Sequence, residues 1–242
     1  MFRRAGFFHF VANLNDPLGV LGTALSAEDV MDALIVLPEA FNLGRPYGTA
    51  QDEPCACEHD WLVAKLQELA RDLRITFIAG LLEPVAAGER PRSAAYLIDG
   101  DSCRTICHKA TSDGTGHYKP VIDGCDIENP MEYGKACIMA VICKDIAEHR
   151  CDELTAKTEA SPLEQRFICI PAAMSSSAWL YGSNLGEHIN FGPPSKRRNT
   201  RIILANSLPT GPCSFITDTN WDVVALVSKQ RRHQNRLILM EV

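Results

Sequence analysis

Seven consecutive apolar residues, Ala136 to Ile142, run straight into Cys143, Lys144 and Asp145. A run this apolar and partly β-branched reads as a strand covered on both faces. Such a strand needs packed layers above and below it, which points to a layered domain rather than an open, one-sided sheet. The cysteine that ends the run has two readings. It is a core thiol, since free cysteine is among the most buried residue types, or it is a sulfur presented at the mouth of a sheet.

Similar runs occur on either side. Phe7 to Asn13 reads as a short first strand, and Ser26 with Glu28 and Asp29 behind it reads as the cap of a brief helix. Ala33 to Leu37 is a second buried strand, stopped by Pro38. Glu39 follows at once. A carboxylate there is either a solvated loop acid or a group held at the carboxyl end of a strand, where α/β sheets collect their sites. Asp60 to Leu73 is an amphipathic helix with Trp61, Leu62, Leu66, Leu69 and Leu73 on one stripe. Ile75 to Leu82 is a third strand. Ser93 to Ile98 and Cys103 to Cys107 flank Asp99-Gly100-Asp101-Ser102 and read as a hairpin that delivers His108 and Lys109. Thr111 to Tyr133 is a long irregular segment of the kind that is often functional. Beyond Cys143 come a polar stretch that is helical in part, a strand at Phe167 to Met174, a helix near Trp179, and a final meander of four strands: Arg201 to Leu208, Ser214 to Asp218, Asp222 to Ser228 and Arg236 to Val242. Strands and helices alternate early and strands dominate late, so the expected class is a layered α+β or α/β domain. With no compositional break, residues 1–242 are expected to form one domain.

Composition excludes several function classes. A net charge of −6 argues against a general nucleic-acid binder. No apolar run approaches the ~20 residues that span a bilayer. The ten cysteines lack the paired CxxC spacing of a zinc site: Cys55-Ala56-Cys57 and Cys103…Cys107-His108 have no second pair at the expected distance. Several sit in strand-like runs, as buried thiols do, so reduced thiols in a cytoplasmic protein are the expectation. No Gly-x-Ser-x-Gly elbow accompanies Ser175 to Ser177, and Asp113-Gly-Thr-Gly lacks the strand–turn–helix setting of a dinucleotide site.

Three stretches in order, LPEAFNLG at 37–44, HKA at 108–110 after the hairpin, and IMAVICKD at 138–145, resemble the signature regions of the nitrilase, or carbon–nitrogen hydrolase, superfamily. SAAYLIDGDSCRTICHK is similar to the family's hairpin, FICIPAAM to its strand after the cysteine, and RIILANSLPTGPCSFITDTNWDVVA to its closing strands. The resemblance implies an α+β four-layer αββα sandwich. It implies Glu39 as general base and acid, Lys109 as oxyanion stabiliser and Cys143 as nucleophile. Many members carry a second glutamate between the lysine and the cysteine; here Glu128 and Glu132 are the candidates, with the choice open, and His117 and Lys119 lie nearer the lysine. A backbone N–H near Lys144 would assist the oxyanion, and Asp145 in the place of the amidase-type Tyr-Asp leans towards amides.

The chemistry suits these residue types. A thiol nucleophile needs its pKa brought below the free value of ~8.5, which the Lys109 ammonium would do. A carboxylate can take the thiol proton, pass it to the departing amine and then activate water. The expected activity is hydrolysis of a small linear amide or carbamoyl compound through a cysteine thioester, without metal or organic cofactor, in a homodimer or higher homo-oligomer. Two other readings stay open: an acyltransferase on the same scaffold, and a non-catalytic binding module.

Overall fold

The computed structural model describes residues 1–9, 16–43, 56–84, 91–109, 130–143, 145, 151–173, 200–207, 214–219, 223–227 and 234–242. The expected helix near Trp179, Glu128 and Lys144 lie outside them.

Two six-stranded sheets stack face to face. The first contains β1 (Arg4–His9), β2 (Ala33–Leu37), β3 (Thr76–Glu83), β4 (Arg92–Ile98), β5 (Cys103–His108) and β12 (Arg236–Glu241), in the order β12-β1-β2-β3-β4-β5. The second contains β6 (Met131–Tyr133), β7 (Ala136–Ala140), β8 (Gln165–Ala172), β9 (Thr200–Asn206), β10 (Phe215–Thr217) and β11 (Val223–Leu226), in the order β11-β10-β9-β8-β7-β6. In each sheet three strands run parallel at the centre, β1-β2-β3 and β7-β8-β9, with antiparallel strands outside them. Helices α1 (Pro17–Ser26) and α2 (Ala56–Leu73) cover the outer face of the first sheet, and α3 (Cys151–Ala160) packs on β7 and β8 of the second. This is the expected αββα sandwich.

Alternation along the strands builds two separate cores. On β1, Phe7 points between the sheets with Leu34, Val36, Ile78, Ile138, Phe167 and Ile203, whereas Phe8 points outward to Leu21, Leu25, Leu62 and Leu66 of the helices. Each of these fully buried side chains is worth about 1.5–3 kcal/mol relative to exposure. A strand with both faces covered has no room for polar residues. That is why Ala33–Leu37 and Ala136–Ala140 are apolar at every position and buried throughout.

Four sequence expectations change. Ser26 does not start a helix; it ends α1, its Oγ donating to Gly22 O. The cap is Asp16, whose Oδ1 accepts the Gly19 N–H, with Pro17 in the first turn, where proline loses nothing by lacking a donor. Trp61 is 57% exposed and leaves the α2 stripe, which continues through Leu62, Leu66 and Ala70. The closing meander has three strands rather than four, because β12 leaves it and pairs antiparallel with β1, Arg4 opposite Glu241. Finally, the segment read as irregular up to Tyr133 contains β6, a short edge strand. No helix among the described residues is long and apolar enough to cross a membrane.

Candidate active site

The carboxyl ends of β2, β5 and β7 meet at one end of the sandwich. β2 delivers Glu39 through Pro38, β5 delivers Lys109 directly after His108, and β7 delivers Cys143 three residues beyond Ala140. All three are buried, at 1%, 3% and 7% exposure. Glu39 and Lys109 come from the first sheet and Cys143 from the second, so the cluster forms only where the sheets face each other.

Local backbone geometry aims these side chains. Cys143 has φ of 51° and Ala40, next to Glu39, has φ of 56°. Left-handed non-glycine residues cost on the order of 1–3 kcal/mol and persist where surrounding structure holds them. At Cys143 the holding contacts include Val141 N–H to Cys169 O on β8 and Asp145 N–H to Ile142 O. After Glu39, a single 3₁₀ turn (Phe41–Leu43) is pinned to β3 by Asn42, whose side chain donates to Leu82 O and accepts from Leu82 N–H, both at 2.9 Å. Behind the carboxylate stands Gly80. A Cβ there would lie 2.6 Å from Glu39 Cα, 2.7 Å from Pro171 Cβ and 2.8 Å from Pro38 O. Only glycine permits that approach of β3, β8 and the Glu39 backbone.

Lys109 Nζ donates to Glu39 Oε1 at 2.9 Å, and Ser93 Oγ on β4 donates to the same oxygen at 2.8 Å. Lys109 N–H also donates to Ser93 O. Glu39 Oε2 is buried and lacks a hydrogen bond of normal geometry. Burial alone would lower the pKa of Lys109, but Glu39, Cys143 and Asp145 outweigh it and hold the ammonium well above its usual range. Burial, followed by the Glu39 carboxylate, pushes the Cys143 thiol up to about 12; Lys109 and the backbone N–H of Ala173, just past β8, pull the other way without winning. The expectation of a lowered thiol pKa is therefore overturned. In a dry site the carboxylate beside the sulfur cancels much of what the lysine supplies, so Cys143 is held as a thiol.

Of the other sequence candidates, Asp145 is buried at 2% exposure and close enough to Lys109 to stabilise its charge. Glu132 drops out. It is exposed on β6, opposite Cys137, at the end of β7 remote from Cys143. Three contributors escaped the sequence reading: Ser93, Asn42 and Gly80. Their signal was weak, because each looks like an ordinary strand or turn residue until the strands are paired. Cys103, Cys107, Cys137, Cys143 and Cys169 are all free thiols. Among the described residues no group of three or more His, Cys, Asp or Glu side chains is arranged to hold a metal ion.

The two facing mixed sheets, flanked by helices and joined at a Glu–Lys–Cys cluster, have the architecture of the carbon–nitrogen hydrolases of the nitrilase superfamily. Solved structures similar to this chain include those of an amidase from Nesterenkonia sp. AN1. One, a double mutant lacking the native glutamate and cysteine and in complex with acrylamide, has a TM-score of 0.74 at 15% identity and covers 100% of this chain and 90% of that chain. A cysteine-to-serine mutant of the same amidase, described as from the nitrilase superfamily, has a TM-score of 0.72 at 16% identity, covering 99% and 91%. A cysteine-to-alanine mutant in complex with butyramide has a TM-score of 0.71 at 16% identity, covering 99% and 90%. At such identities the likeness establishes the fold. The mutated glutamate and cysteine of that amidase stand the same number of residues apart as Glu39 and Cys143 here. No protein-family model matches the sequence, and comparison with curated proteins gives no match.

Proposed function

We propose that this protein hydrolyses the C–N bond of a small linear amide or carbamoyl compound through a thioester on Cys143. One observation carries the reading: a buried carboxylate and a buried ammonium, 2.9 Å apart, sit against a thiol at the carboxyl ends of strands from two sheets. A fold alone would not license it, since one fold hosts many chemistries.

The geometry supports the following steps. The thiol proton passes to Glu39 as Sγ attacks the amide carbon, and the carbonyl π pair moves onto oxygen. Lys109, charged and held by Glu39, lies beside that developing oxyanion; a donor of this kind lowers such barriers by about 3–4 kcal/mol. The tetrahedral species collapses, the C–N bond breaks, and the proton on Glu39 leaves with the amine. Water then attacks the thioester, giving its proton to Glu39. Collapse releases the acid, and the sulfur recovers its proton. A nucleophile that rests as a thiol makes the base indispensable in the first step and keeps the sulfur unreactive between turnovers.

Amide substrates are further supported by the acrylamide and butyramide complexes of the Nesterenkonia amidase. The free thiols of Cys103, Cys107, Cys137, Cys143 and Cys169 favour a reducing compartment such as the cytoplasm. The inter-sheet core shared by both halves of the chain favours one domain over residues 1–242. Two-fold pairing is the default for a homo-oligomer.

The test is ammonia release from butyramide and related short amides. Cys143→Ala should abolish it while circular dichroism and melting temperature stay close to those of the parent. Turnover that survives in Cys143→Ala overturns the reading.

A further inference from the structure

Glu39 has two oxygens in different situations, and the difference has a source outside the Glu–Lys–Cys set. Oε1 accepts from Lys109 Nζ and from Ser93 Oγ, at 2.9 and 2.8 Å. Oε2 is equally buried and has no such bond. A carboxylate oxygen holding two donors is a poor proton acceptor, because taking the proton means losing or bending one of the bonds. The thiol interacts with the Glu39 carboxyl both as a charge and as a hydrogen-bond partner. The oxygen open to it is the one without donors.

We infer that Ser93 is a positioning residue that, together with Lys109, occupies Oε1 of Glu39 and so confines proton transfer with the nucleophile and the departing amine to Oε2. This rests on the amide-hydrolysis reading for its substrate but not for its geometry.

Ser93 is well placed for the role. It is 2% exposed, near the start of β4 between β3 and the edge strand β5, with no solvent to compete for its hydroxyl. Its backbone oxygen accepts the Lys109 N–H, so a single residue fixes the root of the lysine and the head of the glutamate. The groups around the carboxylate are Lys109 at the end of β5, Ser93 on β4 and Cys143 beyond β7, with Asp145 near the lysine. Without Ser93, Lys109 alone would hold Oε1. The carboxylate could then rotate about its terminal bond, a broad torsion for glutamate, and present either oxygen.

The experiment compares the parent with Ser93→Ala and Ser93→Thr, by two independent readouts. The first is turnover of butyramide, with kcat and KM separated. The second is the rate of Cys143 alkylation by iodoacetamide at neutral pH, followed by peptide mass spectrometry, which needs no turnover. Ser93→Ala is expected to lower kcat about tenfold, the size of one lost buried hydrogen bond, with KM within about twofold. Alkylation of Cys143 should slow in parallel, and Ser93→Thr, which restores the hydroxyl, should recover both. Unchanged kcat and alkylation in Ser93→Ala, or a loss that follows melting temperature and is not recovered by threonine, overturns the inference. A parent that alkylates at Cys143 in a Ser93-dependent way but hydrolyses no amide would sink the proposed function and leave the Ser93 assignment standing.

Discussion

The two ends of the sandwich hold the same kind of ion pair in opposite settings. At the carboxyl ends of the parallel strands, Lys109 and Glu39 meet at 2.9 Å with side chains 2% and 0% exposed. At the other end, before β2 and β3, Arg74 and Asp32 meet at 3.0 Å with side chains 67% and 32% exposed. Backbone strain does not distinguish the ends: Ala40 and Cys143 are left-handed at one, Asp32 and Arg74 at the other. The Arg74 end has a cavity of about 360 Å³ lined by Asp32, Arg71, Arg74, Asp99 and Tyr133. What separates them is water. A screened pair contributes little. A dry pair holds its lysine charged and can act on a third group, here a sulfur.

Breaking the dry pair should have the largest effect. Lys109→Met leaves the Glu39 carboxylate buried and uncompensated, at a cost of about 3–5 kcal/mol in urea unfolding. The double variant Lys109→Met with Glu39→Gln should regain most of that stability and none of the activity. A single variant as stable as the parent would contradict the burial argument. Next comes Gly80→Ala, which pushes a methyl into Glu39 Cα and Pro171. We expect about 1–3 kcal/mol of destabilisation, with turnover reduced further than the stability loss explains because the carboxylate is displaced. A fully active Gly80→Ala would show that the site tolerates that shift.

Titration sharpens the contrast from another side. The Cys143 and Cys169 thiols are both pushed up, Cys169 by burial alone. A folded-state pKa above the unfolded value gives stability that is complete below about 8.5, the free thiol pKa, and is lost as pH rises towards the folded pKa. Melting temperature should therefore fall above about pH 8.5, and Cys169→Ala should make that fall shallower. An unchanged slope would remove Cys169 from the account. The smallest effect belongs to the wet pair: Arg74→Ala should change stability by less than about 1 kcal/mol and leave turnover alone.

Legibility followed the same division between local and assembled features. Ala33–Leu37, Ala136–Ala140 and the 99–102 hairpin turn could be read because their patterns are local: unbroken apolar runs, and Asp99 accepting from the backbone N–H groups of Asp101 and Ser102. The convergence of Glu39, Lys109 and Cys143 could be read because each lies within three residues of the carboxyl end of a strand. β12 was misplaced because a strand's sequence does not say which sheet edge it will join. Glu132 is a candidate from sequence order alone, because sequence distance from Cys143 says nothing about which end of β7 faces it. The direction of the Cys143 shift was misjudged for a related reason. The lysine's pull could be inferred from residue type, but the opposing burial and the nearness of Glu39 exist only in the assembled molecule.

The Glu39–Lys109–Cys143 cluster draws two members from one sheet and the third from the other, across a core that both sheets share. Its assembly is therefore a record of correct docking. A molecule with every strand formed but the sheets misaligned would look native by circular dichroism and yet present a sulfur with no base. Counting reactive Cys143 per mole of chain would thus report the properly docked fraction after refolding, and it would do so before any natural substrate had been identified.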